Sequence, residues 1–194
     1  MEADAGRVSF GITSSVALNH RMVETLEPDS IRPHGPRRSR RTGLLHIFID
    51  ADACPVKQEV YRVADRYKLN VTLVTGSWMR IPDGGKITLK VVEQGMDAAD
   101  DWIVEHLEAN DIVVTADIPL AARCIERGAY VLGPTGKALT EDNIGPALAT
   151  RDLLSRLREG GEVTGGPPPF DKRDRSRFLQ GLDRVVNEIR RKQT

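Results

Sequence analysis

The junction near residue 50 constrains the fold of this chain more than any other feature. Residues 44–49 form a short, mostly apolar run that ends abruptly in Asp50, and Pro55 follows five residues later. Such a run is typical of a strand buried on both faces, whereas proline suits the first position of a helix. The apolar residues after Pro55 have helical spacing. We therefore expect a strand followed directly by a helix, the opening of a parallel crossover unit.

The alternation of strands and helices continues along the chain. Further strands are predicted at residues 71–74, 87–92, 111–115 and 130–132, and helices at 96–107, 119–128 and 140–158. Elements alternating at this spacing predict a three-layer α/β/α fold with a mainly parallel sheet. In such a fold the ligand lies outside the carboxyl ends of the strands.

The two ends of the chain differ from this central part. Residues 1–43 lack a sustained period and contain proline, glycine and a run of arginines, which predicts a mostly disordered leader. Residues 44–159 are predicted to form the α/β domain. Residues 160–194 are predicted to be a linker and a C-terminal helix that docks on the domain through one apolar stripe, formed by Phe178, Leu182, Val185, Val186 and Ile189.

Charge and cysteine content narrow the functional classes. The 194 residues include 28 Lys and Arg and 28 Asp and Glu, so the global charge gives no sign of a polyanionic partner. Cys54 and Cys124 lack the short spacing of a zinc or redox motif. No stretch approaches the roughly 18 apolar residues of a membrane span, and no signal peptide is recognisable. We expect a cytoplasmic protein with reduced thiols and no membrane segment, and the sequence does not specify its oligomeric state.

Aspartates follow the predicted strands and begin a predicted helix. Asp50 and Asp52 are two residues apart, so an extended backbone directs both to the same side at the end of the first strand. Asp117 ends a later strand, while Asp97 and Asp101 are four residues apart on one helical face, with Asp100 beside them. Three segments therefore direct carboxylates toward one crevice. Converging carboxylates without basic partners favour a hard divalent cation, Mg²⁺ or Mn²⁺, which activates water for attack on a phosphodiester.

Each of these acids also has a simpler interpretation. Asp52 and Asp97 are placed to cap helices, and Asp100 and Asp101 to lie on a solvated outer face. The acids that end the two strands are harder to explain in this way, because a carboxylate beside a buried strand end needs a partner. The metal-site hypothesis therefore depends mainly on those two strand-end acids.

Three further features carry weaker signals. Cys54 precedes Pro55 at a helix start, where the dipole lowers a thiol pKa, although a packed cysteine is the simpler interpretation. Lys57 either contacts a phosphate or pairs with the nearby aspartates. Residues 133–137, Gly-Pro-Thr-Gly-Lys, invite comparison with a nucleotide-binding loop, but the glycines are too close together and Ala138 replaces the required hydroxyl. We reject an ATPase and expect a turn at the rim of the crevice.

Four segments together resemble one protein family closely. Residues 48–57 (Phe-Ile-Asp-Ala-Asp-Ala-Cys-Pro-Val-Lys), 95–102, 115–121 and 174–178 are similar to motifs of the YaiI/YqxD family of uncharacterised bacterial proteins. That family is generally grouped with PIN-like domains, and the resemblance covers about residue 45 to the final helix. It implies a PIN-like fold and a metal-dependent nuclease site.

PIN-like nucleases carry one aspartate at the end of the first strand, one acid on a central helix and one or two acids after a later strand. The resemblance implies that Asp50, Asp97 and Asp117 bind the metal, with Asp101 as the alternative helical acid. Asp52 and Asp101 would then assist the ion or its water as further catalytic residues. The chain departs from the usual pattern because Asp52 is an additional acid and no second acid closely follows Asp117.

RNA is the candidate partner of such a nuclease, and cations at the rim of the crevice would contact its phosphates. The candidate substrate-binding residues are Lys57, Arg80, Lys137, Arg175 and Arg177. Lys86 and Arg173 extend this set, and Trp78, in a long loop over residues 76–85, is placed to stack a base. An ordinary solvated surface is the alternative for each of these residues.

Two rival functions remain open. In a phosphohydrolase of the haloacid dehalogenase type, Asp50 would attack phosphorus and form an aspartyl phosphate, with Asp52 as its acid–base partner. Cys54 stands where that superfamily usually has Thr or Val, and the later Lys and paired acids are not evident. The second rival is a non-catalytic module that binds RNA or a protein through the acidic crevice or the basic end helix.

Overall fold

The computed structural model describes residues 45–52, 54–93, 95, 97–161 and 170–193. The predicted leader and most of the predicted linker lie outside these residues. In chain order the elements are β1 (His46–Asp50), α1 (Lys57–Tyr67), β2 (Asn70–Thr75), β3 (Ile87–Val91), α2 (Ala98–His106), β4 (Ile112–Val114), α3 (Ile118–Glu126), β5 (Tyr130–Leu132), β6 (Ala138–Leu139), α4 (Glu141–Glu159) and α5 (Lys172–Gln193).

The strands form one sheet in the order β3-β2-β1-β4-β5-β6. The first five are parallel, and β6 runs antiparallel to β5. The mainly parallel sheet predicted from the sequence is therefore confirmed. Strand β6 was not predicted, because its two residues are too few to show a period.

Helices cover both faces of this sheet. Successive side chains of a strand point to opposite faces, so Ile47 and Ile49 of β1 join one hydrophobic cluster and Phe48 joins the other. The first cluster includes the buried faces of α1 and α5, and the second includes those of α2 and α3. Helix α4 packs against α3. The three-layer α/β/α architecture is thus confirmed.

The C-terminal helix α5 packs against α1. Its buried residues are Phe178, Leu182, Val185, Val186 and Ile189. These residues recur at helical spacing and form one continuous apolar face, which packing against the domain removes from water. Within the part of the chain that the structure describes, no helix is long and apolar enough to cross a membrane.

Two helix starts differ from the sequence prediction and matter for the site. Helix α1 begins at Lys57, because Pro55 and Val56 form a turn and Val56 occupies the N-cap position. Helix α2 begins at Ala98, with Asp97 as its N-cap residue in the left-handed region (φ 61°). Aspartate tolerates this conformation better than most residues. The backbone therefore turns sharply at Asp97 before the helix begins.

Candidate active site

An open pocket of about 410 Å³ lies at the carboxyl edge of the sheet. It is bounded by the end of β1, the residues that follow β2 and β3, and the start of α2. Four aspartates and one glutamate line it: Asp50, Asp52, Glu93, Asp97 and Asp100. We call this cavity the acidic pocket. It lies where a parallel α/β sheet binds its ligands, outside the ends of the strands.

Asp50 is the half-buried last residue of β1. The Thr115 hydroxyl donates a hydrogen bond of 2.8 Å to its Oδ2. Burial raises the pKa of Asp50, the negative charges of Asp52 and Asp117 raise it further, and the bond from Thr115 opposes this rise. Asp50 is therefore a carboxylate whose charge is only partly compensated by its protein neighbours.

Asp100 is a second carboxylate whose charged form is disfavoured by its surroundings. Burial and the charges of neighbouring carboxylates raise its pKa to about 6. Burial is the largest cause, followed by the charges of Asp117, Asp50 and Asp97. A solvated outer face was the simpler interpretation of Asp100, and it is wrong, because Asp100 lines the acidic pocket. A signal for its true position exists in the sequence, because Asp100 lies three, four and seven residues before the buried Ile103, Val104 and Leu107.

Asp101 is one of the predicted catalytic residues, but it does not line the acidic pocket. It is exposed and forms a salt bridge of 2.5 Å with Arg123 of α3. One residue along a helix is a rotation of about 100°, so the side chain after Asp100 points away from the sheet. The predicted pairing of Asp97 with Asp101 on one face fails, because Asp97 precedes the helix in a left-handed conformation.

Asp117 and Asp97, both predicted to bind the metal, have different surroundings in the structure. Asp117 Oδ1 accepts a hydrogen bond of 2.8 Å from the Leu120 backbone N–H, so Asp117 caps α3. Asp97 lines the acidic pocket and makes no side-chain capping bond. Asp117 does not line the pocket, although its charge raises the pKa of both Asp50 and Asp100. Asp117 therefore acts on the pocket through its field.

Thr115 joins these two segments and was missed by the sequence analysis. Its hydroxyl donates to Asp50 and accepts a 2.9 Å hydrogen bond from the Asp117 backbone N–H. The residue is 1% exposed, so both bonds are shielded from water. Thr115 thus fixes the β1 carboxylate against the end of β4.

Asp52 braces the loop after β1. Its Oδ1 accepts a 2.5 Å hydrogen bond from the Thr75 hydroxyl, and its Oδ2 accepts a 3.1 Å hydrogen bond from the Gly76 N–H. Both oxygens are therefore engaged by the end of β2. The helix-capping interpretation of Asp52 is wrong, because Val56 is the N-cap residue of α1.

The predicted substrate-binding cations do not gather at the acidic pocket. Lys57 donates to the Ala51 carbonyl at 2.7 Å, so it holds the loop between β1 and α1. Arg175 forms a 3.0 Å salt bridge with Glu59, whose side chain is only 5% exposed. Lys86 donates to the Lys68 carbonyl at the opposite, amino-terminal edge of the sheet. These three cations have structural partners of their own.

The remaining cations occupy two other places. Arg80 is exposed in the loop between β2 and β3, close in sequence to Trp78, which is 77% exposed. Lys137 and Arg177 line a separate groove beside α5, together with Arg184. Arg177 also pairs with Asp174 of the same helix.

Cys54 is a packed thiol of the hydrophobic core. It is buried in the cluster beneath α1, and burial raises the pKa of its thiol to about 11. Desolvation outweighs the stabilising charge of Lys57 and the hydrogen bond from Val56. The packed-cysteine interpretation is therefore confirmed.

The fold and the pocket define a three-layer α/β protein with carboxylates converging at the carboxyl edge of a parallel sheet. The family model described as "Uncharacterized BCR, YaiI/YqxD family" matches residues 48–188. The chain belongs to this family, and the resemblance predicted from the four motifs is confirmed.

Relatives from two bacteria illustrate how close this similarity is. A UPF0178 protein of Paramagnetospirillum magneticum is 57% identical over 145 residues, which cover 75% of this chain and 96% of that protein. A UPF0178 protein of Rhodopseudomonas palustris is 54% identical over 149 residues, or 77% of this chain and 94% of that protein. No solved structure matches the chain.

Proposed function

We propose that this protein is a divalent-metal-dependent nuclease that hydrolyses RNA phosphodiesters in the acidic pocket, within the cytoplasm. The observation that carries the proposal is the pair Asp50 and Asp100. Both line the same pocket, and burial together with the negative charges of neighbouring carboxylates raises the pKa of each. A bound cation would relieve that repulsion.

The donor set fits a hard cation that keeps part of its water shell. Among the described residues, no group of three His, Cys, Asp or Glu side chains is arranged to hold a metal ion. Magnesium, however, is commonly held by one or two carboxylates together with water and substrate phosphate. Asp50 and Asp100 would supply those carboxylates, and Asp97 would lie at the rim. Mg²⁺ or Mn²⁺ bound there would supply an activated water and charge stabilisation for phosphodiester hydrolysis.

The surrounding residues position these two carboxylates. Thr115 holds Asp50 by its hydroxyl, and Asp52 ties the loop after β1 to the end of β2. The negative charge of Asp117 raises the pKa of both ligands. The same charge would attract a cation to the pair. The carboxylate of Asp117 itself remains with the α3 amide.

The haloacid dehalogenase alternative finds less support in this geometry. Its acid–base residue would be Asp52, whose two oxygens both accept hydrogen bonds from β2 and the residue that follows it. Both oxygens are therefore engaged by donors of the protein itself, which disfavours a role as the acid–base partner of Asp50. Metal-activated water attack requires no proton from Asp52.

A cleavage assay with a matched pair of variants tests the proposal. Fluorescent single-stranded RNA is incubated with Mn²⁺ or Mg²⁺ and the wild-type chain, Asp100→Asn or Asp101→Asn. We expect metal-dependent cleavage by the wild type and by Asp101→Asn, and loss of cleavage in Asp100→Asn. Folded wild-type protein that binds RNA without cleaving it at any metal concentration would replace the nuclease by the non-catalytic binding module.

A further inference from the structure

A second cavity, of about 400 Å³, lies between α5 and the turn formed by residues 133–137. Three cations, a hydroxyl, an amide and two glycines line it: Lys137, Arg177, Arg184, Thr135, Gln180, and Gly136 with Gly181. We call it the basic groove. All of its lining residues are described, and no acid is among them. Its charge is therefore opposite to that of the acidic pocket.

Two glycines allow the turn to lie directly on the helix backbone. Gly136 has a φ of 82°, and a Cβ there would lie 2.5 Å from the Arg177 carbonyl oxygen. A Cβ on Gly181 would lie 2.8 Å from the Gly136 carbonyl oxygen. Any larger side chain would force these backbones apart, since Cβ atoms do not approach oxygen so closely. The turn and α5 thus form one platform.

The helix presents its polar residues along this platform at regular spacing. Counted from Arg177, the other lining residues of α5 lie three, four and seven positions further on: Gln180, Gly181 and Arg184. At this spacing they share one side of the helix. The glycine in the middle leaves room for the turn, and an arginine stands on each side of it. Long cationic side chains framing a backbone concavity form an arrangement suited to a phosphate group.

The basic groove and the acidic pocket lie at the same edge of the sheet. Ile49 of β1 pairs with Val114 of β4, and Val114 pairs with Leu132 of β5, all in parallel register. The turn at 133–137 begins immediately after Leu132, and so emerges beside the ends of β4 and β1. Two strand spacings separate the ends of β1 and β5, or about 10 Å. The groove lies on the α5 side of the sheet and the acidic pocket on the α2 side, so a single strand that reaches both crosses this edge.

We propose that the basic groove binds a backbone phosphate of the same single-stranded RNA whose scissile phosphate lies in the acidic pocket. This inference rests on the proposed function and adds a retention site to it. Lys137 and Arg184 would contact phosphate oxygens, with Arg177 turning from Asp174 toward the strand. The negative acidic pocket repels a polyanion in the absence of metal, so the retention of RNA depends on this groove.

The test measures RNA binding without metal, so that cleavage cannot intervene. A fluorescent oligouridylate is titrated by anisotropy in EDTA with the wild type, Lys137→Gln/Arg184→Gln, and the control Arg156→Gln/Arg158→Gln. The control removes the same charge from exposed positions on α4. At about 0.1 M salt we expect the groove variant to bind about 25-fold more weakly, because each single-strand phosphate contact contributes a salt slope of about 0.7.

The salt dependence separates specific contacts from general charge. The slope of log affinity against log salt should fall by about 1.4 in the groove variant and by much less in the control. Equal affinities and slopes in the two double variants, or no RNA binding by the wild type, would overturn the groove. If the groove variant alone loses affinity while no protein cleaves RNA, the groove stands and the nuclease proposal fails. If cleavage occurs and the two double variants bind RNA equally, the nuclease proposal stands and the groove proposal fails.

Discussion

The acidic pocket and the basic groove have nearly equal volumes and lie at the same edge of the sheet, but they are built differently. The pocket takes its main carboxylates from a strand end and from the first turn of α2, and burial and neighbouring acids raise the pKa of both. The groove takes its cations from a turn and a helix side, with backbone contact between two glycines. The comparison indicates a division between chemistry in the pocket and retention in the groove.

The largest expected effect separates these two roles at Asp50. We expect Asp50→Asn to lower the rate of RNA cleavage by more than about 100-fold. Asp50 is a proposed metal ligand, and losing even an outer-shell partner of a metal costs up to about 100-fold. RNA affinity in EDTA should be unchanged or slightly higher, because a negative charge is removed. Cleavage rates and anisotropy measured on the same preparations check this. A parallel loss of affinity and rate would erase the distinction between pocket and groove.

Thr115 gives the next largest effect. We expect Thr115→Val to lower cleavage about 10- to 100-fold, because Asp50 loses the donor that orients it. The pKa of Asp50 should rise further, so the pH–rate profile should move to higher pH. Thr88→Val, the same substitution on the edge strand β3, is the matched control and should leave the profile unchanged. An unshifted profile in Thr115→Val would mean that the hydroxyl has only a packing role.

Trp78 is a candidate RNA contact beside the acidic pocket. Its side chain is 77% exposed and directly follows Ser77, a residue of the pocket lining. We expect Trp78→Ala to weaken RNA binding about tenfold, since base stacking contributes about 1–3 kcal/mol, and Trp78→Phe to retain most of the affinity. Thermal stability should not change, because the indole is exposed. Equal affinities of the Ala and Phe variants would exclude stacking.

Arg175 should have the smallest effect on RNA. The sequence placed it among the substrate-binding residues, but it pairs with the buried Glu59. We expect Arg175→Gln to leave RNA affinity within about twofold and to lower the free energy of unfolding by about 1–3 kcal/mol, because a buried carboxylate loses its partner. Urea unfolding and anisotropy measure the two quantities. A large loss of RNA affinity with unchanged stability would instead support the predicted role of Arg175 in RNA binding.

The sequence predicted the sheet better than it predicted the site. A buried apolar run ending in an acid identified β1 and Asp50, because strand burial and strand ends are local features of the pattern. Asp100 was missed because the choice between it and Asp101 depends on where α2 begins and which side meets the sheet. The engagement of Asp117 by the α3 amide, and of Arg175 by Glu59, arises from capping geometry and from a partner 116 residues away. The cap has a local signal, an aspartate two residues before Pro119, but the partner of Arg175 has none.

The most direct test of the central claim is isothermal titration with Mn²⁺ of the wild type, Asp100→Asn and Asp101→Asn across pH 5 to 7. Asp100 has a pKa raised to about 6, so a proton must leave before a cation binds, and affinity should rise with pH through about 6. We expect saturable binding with this pH dependence in the wild type and in Asp101→Asn, and its loss in Asp100→Asn. No binding by the folded wild type, or equal binding by Asp100→Asn, would contradict it.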